Sequence, residues 1–102
     1  MATVQLHPAI PELVRQLAAE PAVQRVLLFG SRARGTARER SDIDLAVDAP
    51  GASEQEWARI ADAVDKAETL LRLDLVRLDE ASGDFRVEIE REGVVLFARF
   101  AA

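Results

Sequence analysis

One stretch of the sequence constrains the fold more than any other, because it joins two apolar runs through a Gly-Ser pair and an Asp-x-Asp pair. The first run, Val26 to Phe29, ends at Gly30-Ser31, and after ten further residues Asp42 and Asp44 stand at the head of the second run. Short apolar runs bounded by turn residues are typical of covered strands. The stretch therefore predicts a strand, a turn, a short helix and a second strand that carries two carboxylates.

The two aspartates favour a metal site. Side chains alternate along a strand, so Asp42 and Asp44 point to the same face, roughly 6.5–7 Å apart along the backbone. Two carboxylates this close repel one another, and burying such a pair without compensation is costly. A divalent cation removes that cost, and Mg²⁺ is usually held by one or two carboxylates together with substrate phosphates. The pattern therefore predicts that Asp42 and Asp44 bind a metal ion.

The segment after the first strand favours an anion site. Gly30 lets the backbone approach a phosphate closely, and Ser31 opens a short helix whose free N–H groups and dipole attract an anion. The Ser31 hydroxyl adds a further donor. Arg32 and Arg34 can pair with a triphosphate or with an acidic partner, although a solvated basic face explains the same residues. With the aspartates, this segment predicts a site for the polyphosphate of a nucleotide.

A third aspartate lies in a later apolar run, which predicts a strand at residues 72–78. In that strand Asp74 shares a face with apolar side chains. A carboxylate in such a place forms a salt bridge, here with Arg72 or Arg77, or belongs to a site. If this strand lies near the second strand, Asp74 completes a carboxylate triad, and we favour that interpretation.

The remaining pattern predicts further helices and strands. Ser53 and Glu56 form a capping box that starts a helix. Trp57 falls on the apolar face of that helix, where a core position is favoured over base stacking. In the last quarter, Phe85 and Ile89 are spaced, with Ala81, for one buried helix face. The predicted helices are 8–19, 31–38 (a short helix and loop), 54–67 and 79–92; the predicted strands are 23–29, 43–47, 72–78 and 94–97, followed by a tail of no clear role at 99–102.

Composition and charge narrow the class of protein. A chain of 102 residues, 49% of them hydrophobic, suits one small globular domain. The net charge of −5 argues against a nucleic-acid partner, and the absence of cysteine excludes disulfides, zinc–thiolate sites and cysteine nucleophiles. No apolar run approaches membrane-spanning length. The first eight residues show no basic segment followed by an apolar one, so we expect a cytoplasmic protein.

The Gly-Ser and Asp-x-Asp spacing, followed by the strand aspartate Asp74, resembles the nucleotidyltransferase superfamily related to DNA polymerase β. The stretch from Phe29 to Leu45 is most similar to the minimal nucleotidyltransferase (MNT) family, and the stretch from Ile89 to Phe97 resembles how such domains finish. The resemblance covers about residues 23–97. It implies an α/β fold with a small mixed β-sheet flanked by helices, in one MNT domain at residues 1–102.

MNT proteins are commonly antitoxins paired with HEPN-domain ribonuclease toxins. The resemblance therefore implies a hetero-oligomer with such a toxin, two Mg²⁺ ions, ATP as substrate, and transfer of AMP to a tyrosine hydroxyl of the toxin. By position, Gly30 and Ser31 would hold the triphosphate, and Asp42 and Asp44 would bind metal. Asp74 would bind metal and orient or deprotonate the acceptor hydroxyl.

Three functions remain open at this point. The first is a protein adenylyltransferase that acts as an antitoxin, and the carboxylate triad favours it. The second is an antitoxin that neutralises its toxin by binding alone. The third is transfer to a small molecule or to RNA, which the acidic balance and the lack of a recognisable acceptor-binding domain disfavour.

Overall fold

The computed structural model describes residues 6 to 100. The predictions made for residues 1–5 and for Ala101 and Ala102 lie outside that part. Helices and strands follow one another in the predicted order, with bounds that differ by a few residues. The described residues form helices α1 (Ala9–Ala18), α2 (Ser31–Arg34), α3 (Glu54–Asp65) and α4 (Gly83–Glu92), a 3₁₀ turn (Leu78–Glu80), and strands β1 (Arg25–Phe29), β2 (Ile43–Asp48), β3 (Leu73–Arg77) and β4 (Val94–Ala98).

The four strands form one open mixed sheet in the order β3-β2-β1-β4. Strand β1 is antiparallel to both β2 and β4, whereas β2 and β3 are parallel and are joined through α3. A parallel pair needs such a crossover, because the chain must return to the edge from which it started. The expected α/β fold with a small mixed sheet and flanking helices is confirmed.

Both faces of the central strands are covered, as their continuous apolar character predicted. On one face, Val26 and Leu28 of β1 pack with α1 and α3 in the larger core. On the other face, Leu27 packs with Ala46 and with Ile89 of α4 in a smaller cluster. Asp42, Asp44 and Asp74 alternate onto this second face, so the site lies on the face covered by the fewer apolar groups.

Local sequence signals account for the start of α3. The Ser53 hydroxyl accepts a hydrogen bond from the Glu56 N–H at 3.1 Å, and the Glu56 carboxylate accepts one from the Ser53 N–H at 3.0 Å. This is the predicted capping box. Trp57 packs partly buried against the larger core, with the Arg77 guanidinium 5.1 Å from its ring centre. The core position predicted for Trp57 is therefore confirmed.

The last quarter departs from its prediction. Instead of one helix at 79–92, the chain makes a 3₁₀ turn, extends through Ala81 and Ser82, and begins α4 at Gly83. Of the three residues expected to share a buried face, only Ile89 is buried, while Phe85 is 40% exposed. The second face of the sheet is narrow, so α4 contributes only one fully buried side chain to it.

Arg99 has a structural role that the sequence did not predict. Its guanidinium donates to three backbone carbonyls, those of Ala18, Glu20 and Val23, at 2.9 to 3.1 Å. These carbonyls lie at the end of α1 and in the connection to β1, where helix carbonyls lack intrahelical partners. The prediction that the tail from residue 99 has no clear role is therefore wrong for Arg99. No helix within residues 6–100 is long and apolar enough to cross a bilayer.

Candidate functional site

Gly30 forms the turn between β1 and α2 in a conformation that only glycine adopts easily. Its φ is +74° and its ψ is −155°, a region almost closed to other residues. A Cβ at this position would also overlap the carboxylate of Asp44 on the neighbouring strand. The turn and the carboxylate are therefore in direct contact, and both the backbone angle and the space require glycine.

Helix α2 is a single turn that begins at Ser31 and ends before Gly35. Gly35 is left-handed, with φ +78°, and its N–H donates to the Ser31 carbonyl. Within residues 6–100, the N–H groups of Ser31 and Arg32 and the Ser31 hydroxyl have no hydrogen-bond partner. One helical turn has a small dipole, so these donors supply the attraction for an anion.

The sheet register brings the three aspartates to one edge of the second face. Asp44 of β2 is directly opposite Asp74 of the parallel strand β3, and it also pairs with Phe29, which precedes the Gly30 turn. Asp42 lies one residue before β2 and shares the face of Asp44 by alternation. The structure thus places all three carboxylates and the Gly30 turn at the same end of β2.

The carboxylate of Asp44 is the electrostatic centre of this group. Partial burial raises its pKa above the ordinary value of 3.8, and the negative charges of Asp74 and Asp42 raise it further, while Arg34 lowers it. Within the described residues, neither oxygen of Asp44 accepts a hydrogen bond. Arg34 therefore compensates the charge of Asp44 only in part, and a cation would compensate it further.

Asp74 makes one of the alternative contacts that the sequence left open. Arg72 Nε donates to Asp74 Oδ1 at 2.9 Å, and the Arg72 side chain is largely exposed. In residues 6–100, no three carboxylate or imidazole groups are drawn together closely enough to form a complete metal site. Asp74 is thus beside Asp44 in register, yet one of its oxygens is held by Arg72.

The donor set nevertheless suits a hard divalent cation. All three side chains are carboxylates, the oxygen ligands that Mg²⁺ prefers. The raised pKa of Asp44 arises partly from the other two charges, which shows that the three groups are electrostatically coupled. A cation between them would neutralise this repulsion and would compete with Arg72 for Asp74. Asp42, Asp44 and Asp74 therefore fit as the residues that would hold it.

Arg34 is positioned by Glu92, a residue from a different element. Its Nη1 lies 3.5 Å from Oε2 of Glu92 at the end of α4, and its charge lowers the pKa of Asp44. The charge of Arg34 thus acts on the site, while its side chain is held by an ion pair with a residue of α4. No local signal could identify Glu92, because the two residues are far apart in the sequence and meet only through tertiary packing.

Arg32 is directed toward the backbone of its own loop. Its Nε and Nη2 donate to the Ser41 carbonyl at 3.2 and 2.8 Å, and Nη2 also donates to the Glu39 carbonyl at 3.2 Å. The loop is further closed by the Ser41 hydroxyl, which accepts from the Arg38 N–H at 2.8 Å. These contacts end one residue before Asp42.

Two spaces lie beside the site, one against Asp42 and one against the Gly30 turn. A wide groove of about 1220 Å³ lies between Asp42 and residues 66–72, with Arg72 on its wall. A smaller cavity of about 150 Å³ lies between the Gly30 turn and α4, lined partly by Phe29 and Phe85. The site is thus accessible from more than one side.

Residues 12–100 match the family described as "Polymerase beta, Nucleotidyltransferase". Comparison with curated protein sequences gives no match. The matched region includes both apolar runs of the motif and all three aspartates.

Several solved structures are similar to this chain, and three are described here. A crystal structure of a toxin–antitoxin complex with AMP-PNP is 30% identical, with a TM-score of 0.62, over 88% of this chain and 71% of that chain. A structure of the tri-AMPylated Shewanella oneidensis HEPN toxin in complex with MNT antitoxin is 26% identical, with a TM-score of 0.59, over 88% and 70%. An MntA-HpeT toxin–antitoxin complex, in a variant that replaces two aspartates one residue apart with glutamate, is 26% identical, with a TM-score of 0.63, over 86% and 71%.

Proposed function

We propose that this chain transfers AMP from ATP to a hydroxyl of a partner HEPN toxin. The chain belongs to the polymerase β nucleotidyltransferase family and to its minimal, MNT branch. Through this transfer it acts as an antitoxin. The acceptor hydroxyl is that of a tyrosine, and the reaction depends on Mg²⁺. The functional unit is one MNT domain over residues 1–102, in a hetero-oligomer with the toxin.

The observation that carries this proposal is the meeting of three carboxylates with a glycine turn at one edge of the sheet. The turn offers unpaired N–H groups to phosphate oxygens, and Asp42, Asp44 and Asp74 offer negative charge for a cation. An anion site and a cation site side by side suit a metal-bound polyphosphate. The similar complex with AMP-PNP supports a nucleotide as that ligand.

The proposed reaction is an in-line displacement at the α-phosphorus of ATP. The acceptor oxygen forms a bond to the α-phosphorus, and the bond from that phosphorus to the bridging oxygen breaks, so that pyrophosphate leaves. Asp74 orients the acceptor hydroxyl and takes its proton, while Gly30 and Ser31 hold the triphosphate through N–H and hydroxyl donors. Most of the rate enhancement then comes from position and electrostatics.

Two bound Mg²⁺ ions would stabilise negative charge on the attacking and leaving oxygens. Asp42, Asp44 and Asp74 would hold these ions. Arg34 would contact the phosphates, and its effect on the pKa of Asp44 supports this role. The aspartate pair replaced in the similar MntA-HpeT complex has the same spacing as Asp42 and Asp44, which supports a functional role for this pair.

The similar complexes also support a protein acceptor. One of them contains an AMPylated HEPN toxin with its MNT antitoxin. In the present chain, a groove of about 1220 Å³ lies beside Asp42, where the acceptor segment of the toxin would approach. A cytoplasmic location is part of the proposal, because the nucleotide and a ribonuclease toxin are found together there.

The test incubates the purified chain with MgCl₂, ATP labelled at the α-phosphate and the HEPN toxin that co-purifies with it from cells. The variants are the Asp42→Asn/Asp44→Asn double substitution and, as a matched control, Asp65→Asn, an exposed carboxylate on α3. We expect label on a toxin tyrosine with wild type and Asp65→Asn, and a loss of at least about 10³-fold with the double variant. Mass spectrometry identifies the modified residue.

Binding without transfer is the alternative that this experiment also examines. If wild type leaves the toxin unlabelled, and if wild type and the double variant neutralise the toxin equally, then the chain neutralises its partner by binding alone. Label on another side chain would retain the transferase and correct the acceptor.

A further inference from the structure

We propose that Arg32 is a positioning residue, which holds Asp42 in place for the cation and is not a phosphate ligand. The proposal rests on the function proposed above, because it assigns a role within that site. Its basis is the set of three hydrogen bonds from one guanidinium to the carbonyls of Glu39 and Ser41. The residue after Ser41 is Asp42, so the guanidinium fixes the backbone from which that carboxylate extends.

The orientation of Arg32 decides between the two roles. A guanidinium recognises phosphate best through two parallel N–H groups on one edge. In Arg32 the edge formed by Nε and Nη2 is already directed at the two carbonyls, and only Nη1 has no acceptor within residues 6–100. Arg34, two residues later, differs from Arg32, because its charge acts on Asp44 in the site.

The loop needs such a clamp because other restraints on it are few. Residues 36–42 form no helix or strand, and several of their side chains are exposed. The Ser41 N–H donates to the Arg38 carbonyl, and the Ser41 hydroxyl accepts from the Arg38 N–H, which closes a small turn. Arg32 is the contact that ties this turn to α2, and therefore to the Gly30–Ser31 anion site. It sets the spacing between anion site and cation site.

The chemistry of lysine separates the hypotheses. Lysine keeps the positive charge, so Arg32→Lys would preserve much of a phosphate contact, but a single ammonium cannot donate to two carbonyls with the planar fork of arginine. Groups that orient metal ligands typically change metal affinity by about 10–100-fold when removed. A phosphate ligand, in contrast, has no effect on cation binding in the absence of nucleotide.

The experiment measures Mn²⁺ binding to the nucleotide-free chain by electron paramagnetic resonance, for wild type, Arg32→Ala and Arg32→Lys. Arg38→Ala is the matched control, because Arg38 lies in the same loop, is exposed, and its side chain makes no hydrogen bond or ion pair within residues 6–100. Amide hydrogen exchange of residues 39–43 and circular dichroism accompany each titration. The Michaelis constant for ATP is measured in the toxin-labelling reaction.

We expect Mn²⁺ affinity to fall by about tenfold or more in Arg32→Ala, with little recovery in Arg32→Lys and no change in Arg38→Ala. Exchange at residues 39–43 should rise in both Arg32 variants while the circular dichroism spectrum is unchanged. Unaltered Mn²⁺ affinity in the Arg32 variants, with a raised Michaelis constant for ATP that lysine restores, would overturn the proposal in favour of a phosphate ligand.

The outcomes for the two proposals are distinguishable. If wild type binds Mn²⁺ and the Arg32 variants weaken that binding, the positioning role stands even where no AMP transfer occurs, and only the proposed function is lost. If wild type binds no Mn²⁺ in the absence of nucleotide, the positioning role is overturned, and the toxin-labelling reaction alone decides the proposed function. If Arg32→Ala fails to fold, Arg32→Lys carries the same comparison, since lysine retains the side-chain length and charge.

Discussion

Gly30 is the residue at which the backbone and the site depend on each other most directly. We expect Gly30→Ala to destabilise the protein by about 1–3 kcal/mol, because its φ and ψ are almost closed to residues with a Cβ. The new Cβ would also displace the Asp44 carboxylate, so AMP transfer should fall with it. Urea unfolding and the toxin-labelling reaction measure the two effects.

Gly51 provides the matched control for that substitution. It lies in the loop before α3, and a Cβ there would meet no atom within 4 Å. Gly51→Ala should change the free energy of unfolding by no more than about 0.5 kcal/mol and leave transfer intact. Equal effects of the two substitutions would show that the special conformation of Gly30 is unimportant.

Asp44 is expected to make stability depend on pH in a direction unusual for a carboxylate. Because its pKa is raised in the folded protein, its contribution to stability is present below its ordinary pKa of 3.8 and is lost as pH rises through the raised value. Asp44→Asn should therefore be more stable than wild type at pH 7 in EDTA. The difference should shrink as pH falls through the raised pKa toward 3.8, and urea unfolding across pH measures it.

Added Mg²⁺ provides the second arm of that experiment. A ligand that binds only the folded state stabilises it by mass action, so Mg²⁺ should raise the stability of wild type more than that of Asp44→Asn. A stability difference between the two proteins that is constant from pH 3 to 7 and insensitive to Mg²⁺ would contradict the coupling of Asp44 to its neighbouring carboxylates.

At this scale the sequence predicts residue positions better than it predicts side-chain partners. The spacing of Asp42 and Asp44 determines that they share a strand face, because alternation is a local rule. The hydrogen bonds from Arg32 to its own loop depend on how that loop closes. The contact of Arg34 with Glu92 depends on where α4 packs. Neither leaves a pattern in neighbouring residues.

Among the elements, α1 depends most on a residue from another part of the chain. Arg99 donates to three carbonyls at the end of α1 and in the segment that follows. Hydrogen bonds from a charged group contribute about 1.5–3 kcal/mol each in favourable cases, and solvent compensates part of this when the group is removed. We expect Arg99→Ala to lower the free energy of unfolding by about 2 kcal/mol in urea titrations.

Arg15→Ala is the control for this substitution. Arg15 lies on α1 itself, and its ion pair with Glu12 is exposed at the surface. Exposed pairs of this kind contribute little to stability, because solvent screens the two charges. A loss in Arg99→Ala no larger than that in Arg15→Ala would show that the three carbonyl contacts are replaced by water without penalty.

Periodicity predicts the elements of this protein better than it predicts their packing. Capping residues and apolar spacing locate α1, α3 and the strands to within a few residues. The prediction for α4 is wrong at its start and for Phe85, because helical spacing indicates a potential face and not the area available to cover it. The order of strands in the sheet also depends on contacts between distant parts of the chain. The sequence therefore predicted that Asp74 lies beside Asp44 only on the condition that β3 is next to β2.

The whole molecule combines two kinds of strand pairing, and these differ in how much chain they require. The antiparallel pair β1–β2 lies within one continuous segment that also contains the Gly30 turn, Asp42 and Asp44. The parallel pair β2–β3, which adds Asp74, requires the chain to pass through α3 first. Local pairings form more readily, because less chain entropy is lost when they close.

We expect this difference to appear in folding kinetics. Leu28→Ala, in β1, should slow refolding, whereas Val76→Ala, in β3, should mainly accelerate unfolding. Stopped-flow measurements over a range of urea concentrations separate the two rates. Refolding slowed to the same relative extent by both substitutions would indicate that the strands assemble together.

The parallel pairing of β2 with β3 therefore affects when, during synthesis, Asp74 joins the other two carboxylates. A ribosome releases the chain from its N-terminus, so the anion turn and two of the three carboxylates can assemble while β3 is still being translated. The nascent chain remains without its third carboxylate until that strand docks. The proposed site would therefore have all three carboxylates only after the second half of the protein has been synthesised and β3 has paired with β2.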